Sequence, residues 1–562
     1  MKSRVGVLAV AILVGILASV AGARAEPAPE FRLGFKALAD RIPDIAGQPL
    51  ENEHYDINGD SLQRTTTGLM VWRKADNWTA FTDGARTWVN GPNGVQDRPK
   101  DSRFPWEHDD LARETSPVPG GGQTSFPASV ASPADGYPKV NVHPSSSPAV
   151  DWSVAPIFWF GRATEHDNYV DVRVAYDSQN LYLNAAIVDY CLWFDPAGAS
   201  DPRWYDAIAL YLSASGGAIA SPIDYLFVSG YRNTWPPGND PRWHRQARRA
   251  ESGWDYHWLP AAGWSDSVGA RWYDSGPNNN ADRDAGWATT LTIPWANLGM
   301  SGPPPSGSTM RMALKLYDRD DPGVDTVPTE CWPPSMDEDA HDTWGVLALD
   351  PPAYRAAATT ATGKTVIRRG FNGAVVKDSY AGGGGLCAGG IFGDGDKPHP
   401  TDEHLFVQNQ SDIADFPCFS KSYLSFDLSA IPAGKRIVSA RLRIYQFGGS
   451  DPSQAKPSLV QLLTIADDWD ETTLTWNKAP MARENVSAAI VPVIRDFPGW
   501  PGVPIEWDAT QAVVEAYATG KAANVALYSA DTAYHSGKYF VSSDTGDWNA
   551  DGRPTLTVVW GD

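Results

Sequence analysis

Between Ala466 and Pro480 the chain reads ADDWDETTLTWNKAP, which sets Asp467, Asp468, Asp470 and Glu471 among Trp469, Trp476 and three threonines. Carboxylates at this density could cleave a glycosidic bond, hold a cation or accept hydrogen bonds from a sugar. Glycoside hydrolysis requires two carboxyl groups facing each other across the scissile bond, roughly 5–10 Å apart. Neighbours in one surface turn do not define such a pair. Thr472, Thr473 and Thr475 suit side-chain bonds to the backbone of a turn, and the two tryptophans suit packing beneath a sheet edge. The stretch reads as an architectural corner first and a ligand contact second.

A second acidic run, Asp547-Trp548-Asn549-Ala550-Asp551-Gly552, matches the first half of a calcium loop. Calcium takes six to eight oxygens, and the glycine permits the sharp turn. The acid required at the twelfth position is replaced by Val558, so an EF-hand is excluded. A structural calcium held by Asp544, Asp547, Asn549 and Asp551 is the alternative to a solvated turn. Asp56-Ile57-Asn58-Gly59-Asp60 and Asp318-Arg319-Asp320-Asp321 are weaker acidic turns of the same kind. No other cofactor is called for.

Gly59-Asp60-Ser61-Leu62 spells a hydrolase signature, but the polar segment before it cannot form the buried strand that signature needs. The sequence contains no G-x-S-x-G, H-E-x-x-H or P-loop. Its 24 tryptophans are more informative. An aromatic plane beside polar groups recognises the C–H face of a sugar ring, and wet grooves lined with Trp suit glycans. Trp204 and Tyr205 precede Asp206; Trp235 and Trp243 lie between Arg232 and Arg245; Trp332 stands between Cys331 and a proline pair.

The elements that must position these residues read as strands. With 51 Gly and 45 Pro among many aromatics, turn-linked β modules are favoured over helical bundles. A formal charge of −21 excludes a nucleic-acid binder, which needs a basic face. A basic head, an apolar run over Val5–Val20 and Ala23-Arg24-Ala25 predict a signal peptide over 1–25 and hence export, with no membrane span in the mature chain. Ser116–Asp151 and Pro351–Gly363 have linker composition, leaving a small N-terminal segment at 27–115 and two larger pieces at 152–350 and 364–562. Alternation in VDVRVAYDSQNLYLNAAIVD predicts a hairpin, and KSYLSFDLS, IVSARLRIYQF and PTLTVVW predict strands in the last piece. Helices are expected only at Phe31–Asp40 and Ala509–Thr519, and evidence for an independent core at 27–115 is thin. Four cysteines allow three pairings; the module boundaries favour Cys191–Cys331 and Cys387–Cys418.

VRVAYDSQNLYLNAAIVD (172–189), RWYDAIALYL (203–212), WATTLTIPWANLG (287–299) and DTWGVLALD (342–350) occur in an order that resembles family 9 carbohydrate-binding modules and the wider DOMON-like sugar-binding sandwiches. The aromatic insertion at 232–264 departs from that pattern. KSYLSFDLSAIPAGKRIVSARLRIY (421–445), DDWDETTLTWNKAP (467–480) and YFVSSDTGDWNADGRPTLTVVW (539–560) resemble a DNRLRE domain, a type grouped with alginate-binding carbohydrate modules. Residues 63–98 are similar to a segment of secreted bacterial proteins of mixed function, which implies no chemistry. By analogy with the family 9 sugar clamp, Trp204 or Tyr205, Arg232 and Trp332 are the expected ligand contacts, with Trp235 and Trp243 beside them.

The expectation is an all-β chain of two jelly-roll-like β-sandwiches behind a small N-terminal segment, secreted, non-catalytic and bound to a polysaccharide or cell-wall glycan. Two rivals stand. A polysaccharide-degrading hydrolase or lyase could use Arg232, His244, Arg245, Tyr256 and His257 of the insertion. A structural or adhesive envelope protein would use the same sandwiches as spacers, with Trp as core.

Overall fold

The computed structural model describes residues 29–562 apart from 56–60, 74–77, 92–93, 100–136, 146–148, 215–222, 234–239, 252, 272–274, 322, 324–325, 357, 383–396, 415 and 466–467. The signal peptide, Asp56–Asp60, Trp235, Cys387, Asp467 and much of the first expected linker therefore lie outside the described residues. The chain divides into two compact units, 1–124 and 125–562. No described helix is long and apolar enough to cross a membrane.

Among the described residues of the first unit six antiparallel strands follow one another in chain order, from His54–Tyr55 to Gly94–Pro99. The helix Leu33–Ala39 places Phe35, Leu38 and Ala39 at helical spacing, and they pack with Ile42 and Ala46 against Met70 and Phe81. The segment thus has a core of its own, which its short, polar-flanked strands did not advertise.

The second unit contains two sandwiches that share a sheet. Strands Ser265–Arg271, Gly286–Pro294, Asn180–Val188, Tyr169–Tyr176 and Ile157–Gly161 form one five-stranded layer. Facing it, a thirteen-stranded sheet runs from Gly253–Asp255 to Val376–Gly382 and continues through both sandwiches. A further six-stranded sheet, which includes Ala361–Arg368, Arg436–Gly449 and Thr555–Gly561, closes the C-terminal sandwich. The hairpin expected around Asp177–Asn180 is present, with Leu181 paired to Tyr176. Helix Thr510–Thr519 starts where Asp508 Oδ1 accepts the Thr510 N–H at 2.9 Å, and it ends at Gly520, whose φ of 68° favours glycine.

The linker reading of 116–151 fails at Lys139–Val142, where alternate burial of Val140 and Val142 makes a strand. This strand pairs in parallel with Gly345–Leu349 of one sandwich and Ala482–Val491 of the other, so it joins their sheets. Asn141 and Asn485 exchange amide–backbone bonds of 2.8–2.9 Å, and Lys139 Nζ sits 2.6 Å from Glu484. The linker expected at 351–363 is also shorter than its composition suggests, because a strand begins at Ala361.

Candidate glycan-binding face

The expected sugar clamp on the middle sandwich divides into core and surface. Trp332 is 1 % exposed, and its ring centroid lies 4.3 Å from that of Phe158. Trp243 is also buried; its indole donates to the Asp195 carbonyl at 2.9 Å, and the Arg242 guanidinium covers its ring. Arg232 is enclosed, with Nη1 and Nη2 donating to the Asp266 carboxylate at 2.9 and 2.5 Å. His244 Nε2 lies 2.6 Å from the same carboxylate, and its ring stacks on Trp264. Burial would raise the pKa of Asp266, but His244 and Arg232 more than offset it and hold the carboxyl below its usual range. These three assignments are therefore corrected: Trp332, Trp243 and Arg232 build the interior. Trp204 stays half exposed, and Tyr205 beside it is partly covered by the Arg319 guanidinium.

The residues that a lyase could have used do not converge either. Arg232 and His244 are committed to Asp266, whereas the Tyr256 hydroxyl accepts from Arg203 at 2.6 Å at the surface.

The predicted calcium ligands and the predicted Cys191–Cys331 pairing both change. Asp547 is nearly fully exposed and pairs with Arg553, Asp551 pairs with Arg368, and Asp544 pairs with Arg369. Each carboxylate is drawn to a different arginine, and the buried Asn549 packs on Gly552, so the four do not form a calcium site. Asp544 instead approaches Asp378 and Glu471. Asp378 accepts the Ser543 N–H at 2.8 Å and its hydroxyl at 3.0 Å, and burial pushes its carboxyl up to about 7. Cys191 and Cys331 are free thiols. Burial and the acids around Cys191 push its thiol up to about 12, while Cys331 opens onto the cleft between the sandwiches. Cys418 is disulfide-bonded, and Cys387, its expected partner, lies outside the described residues.

The described part of the acidic stretch, 468–480, is a corner. Asp470 Oδ1 accepts from the Thr472 N–H at 2.8 Å, Glu471 Oε1 accepts from the Asp378 N–H at 2.8 Å, and Trp469 and Trp476 are buried. It also forms one wall of a cleft of about 720 Å³ between the sandwiches, where Arg162, Glu330, Lys377, Asp468, Asp470 and Lys478 meet. Lys377 Nζ bonds to Asp468 Oδ1 at 3.1 Å and to the Trp469 carbonyl at 2.6 Å.

A strip of aromatic rings on the outer sheet of the C-terminal sandwich was not expected. Along it the ring centroids of His404 and Phe447 are 4.7 Å apart, those of Phe447 and Trp500 5.4 Å, and those of Trp500 and Trp548 5.2 Å. Phe497 joins Trp500 at 5.2 Å, and Tyr539 extends the strip beside Phe447. Trp548 is 64 %, Phe497 58 % and Trp500 45 % exposed. The pairing of Arg436–Gly449 with Lys538–Val541 shifts register between Gln446 and Gly448, a bulge that re-aims Phe447. Large apolar rings gathered on a solvent face mark a binding surface rather than a core. Sequence reading missed them because they come from separate strands and loops. The available signal was Trp500 between Gly499 and Pro501, and Trp548 inside an acidic turn.

Residues 394–558 match the family model described as carbohydrate-binding module family 96. No curated protein matches the chain. Among solved structures, a family 9 carbohydrate-binding module from Caldicellulosiruptor kristjanssonii in complex with cellotriose is 13 % identical, with a TM-score of 0.26, covering 39 % of this chain and 98 % of that one. The same organism's family 9 module in complex with glucose is 14 % identical, with a TM-score of 0.25, covering 38 % and 97 %. Likenesses at that level carry no weight for the ligand. The family model is the stronger finding, and Phe447, Phe497, Trp500, Tyr539 and Trp548 all fall inside the residues it matches.

Proposed function

We propose that this chain is an exported, non-catalytic carbohydrate-binding protein whose C-terminal sandwich holds a polysaccharide on the Phe447–Trp500–Trp548 strip. The observation that carries this reading is the coincidence of exposed, mutually contacting aromatic rings with the residues that match a carbohydrate-binding family. Sugar rings would lie with their C–H faces on the indoles of Trp500 and Trp548 and take hydrogen bonds from polar groups at the rim, among them the Asp547–Arg553 pair. The strong negative charge of the chain favours a neutral glycan over an anionic one. The finer resemblances, a DNRLRE-type domain at 364–562 and a DOMON-like sandwich at 152–350, accord with this reading. Trp204 and Tyr205 would give the middle sandwich a weaker contact, and two sites on one chain raise avidity. The structural-protein alternative draws on the burial of Trp243, Trp287, Trp295, Trp332 and Trp344. Affinity electrophoresis of residues 26–562 through gels containing neutral and anionic polysaccharides decides between them. Retardation by a neutral glycan supports the binding protein, and unchanged migration in every gel favours the structural one.

A further inference from the structure

We propose that Asp189, Asp206 and Asp318 form a calcium site that ties the two sheets of the middle sandwich together beneath Trp193, Trp204 and Tyr205. Asp189 follows the strand Asn180–Val188 of the five-stranded layer. Asp206 precedes Ala207–Ser213 and Asp318 follows Ser308–Tyr317; these strands are neighbours in the facing sheet, where Ala207 pairs with Tyr317. One carboxylate oxygen from each of the three lies within 4.8 Å of the others, and the residues are 0 %, 0 % and 4 % exposed. Oxygens around one calcium ion, each at 2.3–2.6 Å, are separated by up to about 5 Å, so all three can reach a single ion.

The donors around these acids are few. Asp206 Oδ2 accepts the Trp193 N–H at 2.6 Å and its Oδ1 the Arg319 N–H at 2.8 Å; Asp189 Oδ1 accepts the Cys191 N–H at 3.0 Å. Asp189 Oδ2 and Asp318 Oδ1 are buried without a hydrogen-bond partner. The Tyr231 hydroxyl is an independent sign. This residue is 1 % exposed, its N–H donates to the Asp206 carbonyl at 2.7 Å, and its hydroxyl, close enough to feel the charges of Asp206 and Asp189, is also buried without a partner. Among the described residues no Lys, Arg or His forms an ion pair with any of the three carboxylates. Their further neighbours are the acids Asp284 and Asp320 and the neutral amide of Asn168 beside Asp189. Burying this many carboxylates without a counter-charge is costly, so the group either takes up protons or takes up a cation. An all-oxygen donor set selects calcium or magnesium over softer metals. Magnesium gives up its waters reluctantly, and a closed pocket demands that they be given up, which favours calcium. The C-terminal group of Asp378, Glu471 and Asp544 is different, because Arg369 pairs with Asp544 and the charges of Arg369 and Lys377 reach Glu471.

The test uses residues 26–562 stripped of metal with a chelator, followed by calorimetric titration and thermal unfolding with CaCl2 and with MgCl2. Calcium should bind with measurable heat and raise the melting temperature by several degrees, with magnesium weaker. Asp318→Asn and Asp189→Asn, from opposite sheets, should each melt at or above the metal-free wild type, because repulsion is relieved, and each should lose the calcium shift. Either variant that folds suffices. Asp378→Asn should keep the shift. No heat and no shift in the wild type would overturn the proposal. So would a shift that survives Asp318→Asn and Asp189→Asn, or one lost only in Asp378→Asn.

Discussion

Lys421 Nζ, on the C-terminal sandwich, donates a 3.1 Å hydrogen bond to the hydroxyl of Tyr169 on the middle sandwich. The ammonium is boxed by the rings of Trp476, Trp159, Tyr169 and Tyr528, at 3.9 to 5.5 Å from their centroids. Asp171 supplies the counter-charge and accepts from Tyr169 at 2.5 Å and Tyr528 at 2.8 Å, while Arg173 reaches the carbonyls of Ala530 and Gln410. The boundary between the sandwiches is therefore a dry polar network inside an aromatic shell, and it sets the two modules as one body. Satisfied networks of this kind fix a unique arrangement at the cost of sensitivity to any missing member.

Burial depresses the Lys421 pKa from 10.5 to about 7, partly countered by Asp171. Between those two values the unfolded chain holds a proton that the folded chain has released. Stability from this residue therefore rises with pH through that window and is lowest below pH 7. Comparison of wild type with Lys421→Met by urea unfolding should show the variant's relative stability falling from pH 7 towards pH 10, by on the order of 1 kcal/mol per pH unit. A difference independent of pH would show that the lysine is not buried in this way.

Arg232→Ala leaves Asp266 enclosed with His244 and the Ser229 hydroxyl as its remaining partners. Breaking a buried pair in this manner costs about 3–5 kcal/mol. The denaturant midpoint should drop accordingly, while glycan binding below the transition stays unchanged. Loss of binding with intact stability would instead return Arg232 to the ligand site.

Deleting Lys139–Val142 uncovers two strand edges at once, Gly345–Leu349 and Ala482–Val491. Unpaired edges recruit other chains. The deletion variant should elute from size exclusion as larger species, and a monodisperse, fully soluble product would show the strand to be dispensable.

Trp332→Ala removes a ring packed on Phe158 in the core and should cost about 3–5 kcal/mol of stability. A folded variant with wild-type stability would contradict its placement.

The architecture was legible in the sequence wherever one strand could be judged by itself. Alternation in 170–189 gave the hairpin, and the Ala509–Thr519 periodicity gave the helix within a residue of its start. Side-chain exposure was not legible, because it depends on partners distant in the chain. Trp332 sits between a cysteine and two prolines and reads as a loop residue, yet its neighbour is Phe158 from the opposite layer. Trp548 reads as part of an acidic turn, yet it stands in the open against Trp500. The metal readings erred the same way. The acids of 544–551 are drawn to separate arginines, Asp544 and Asp551 to Arg369 and Arg368 and Asp547 to Arg553, whereas Asp189, Asp206 and Asp318, far apart in sequence, meet at the ends of three strands. A four-residue strand inside linker-like composition carries too little pattern to stand out until Val140 and Val142 have sheets to pair with.

The central claim is that glycan binding resides on the aromatic strip of the C-terminal sandwich. Trp500→Ala and Trp548→Ala, made separately and together in residues 26–562, should leave the melting temperature within about 2 °C, since neither ring is part of the buried core. With the retarding polysaccharide incorporated in the gel, each single variant should weaken binding roughly tenfold, the effect of about 1.4 kcal/mol, and the double variant should migrate as in the glycan-free gel. Trp204→Ala should change retardation far less. Full retardation of the double variant, or its loss in Trp204→Ala alone, would contradict the account and move the site to the middle sandwich.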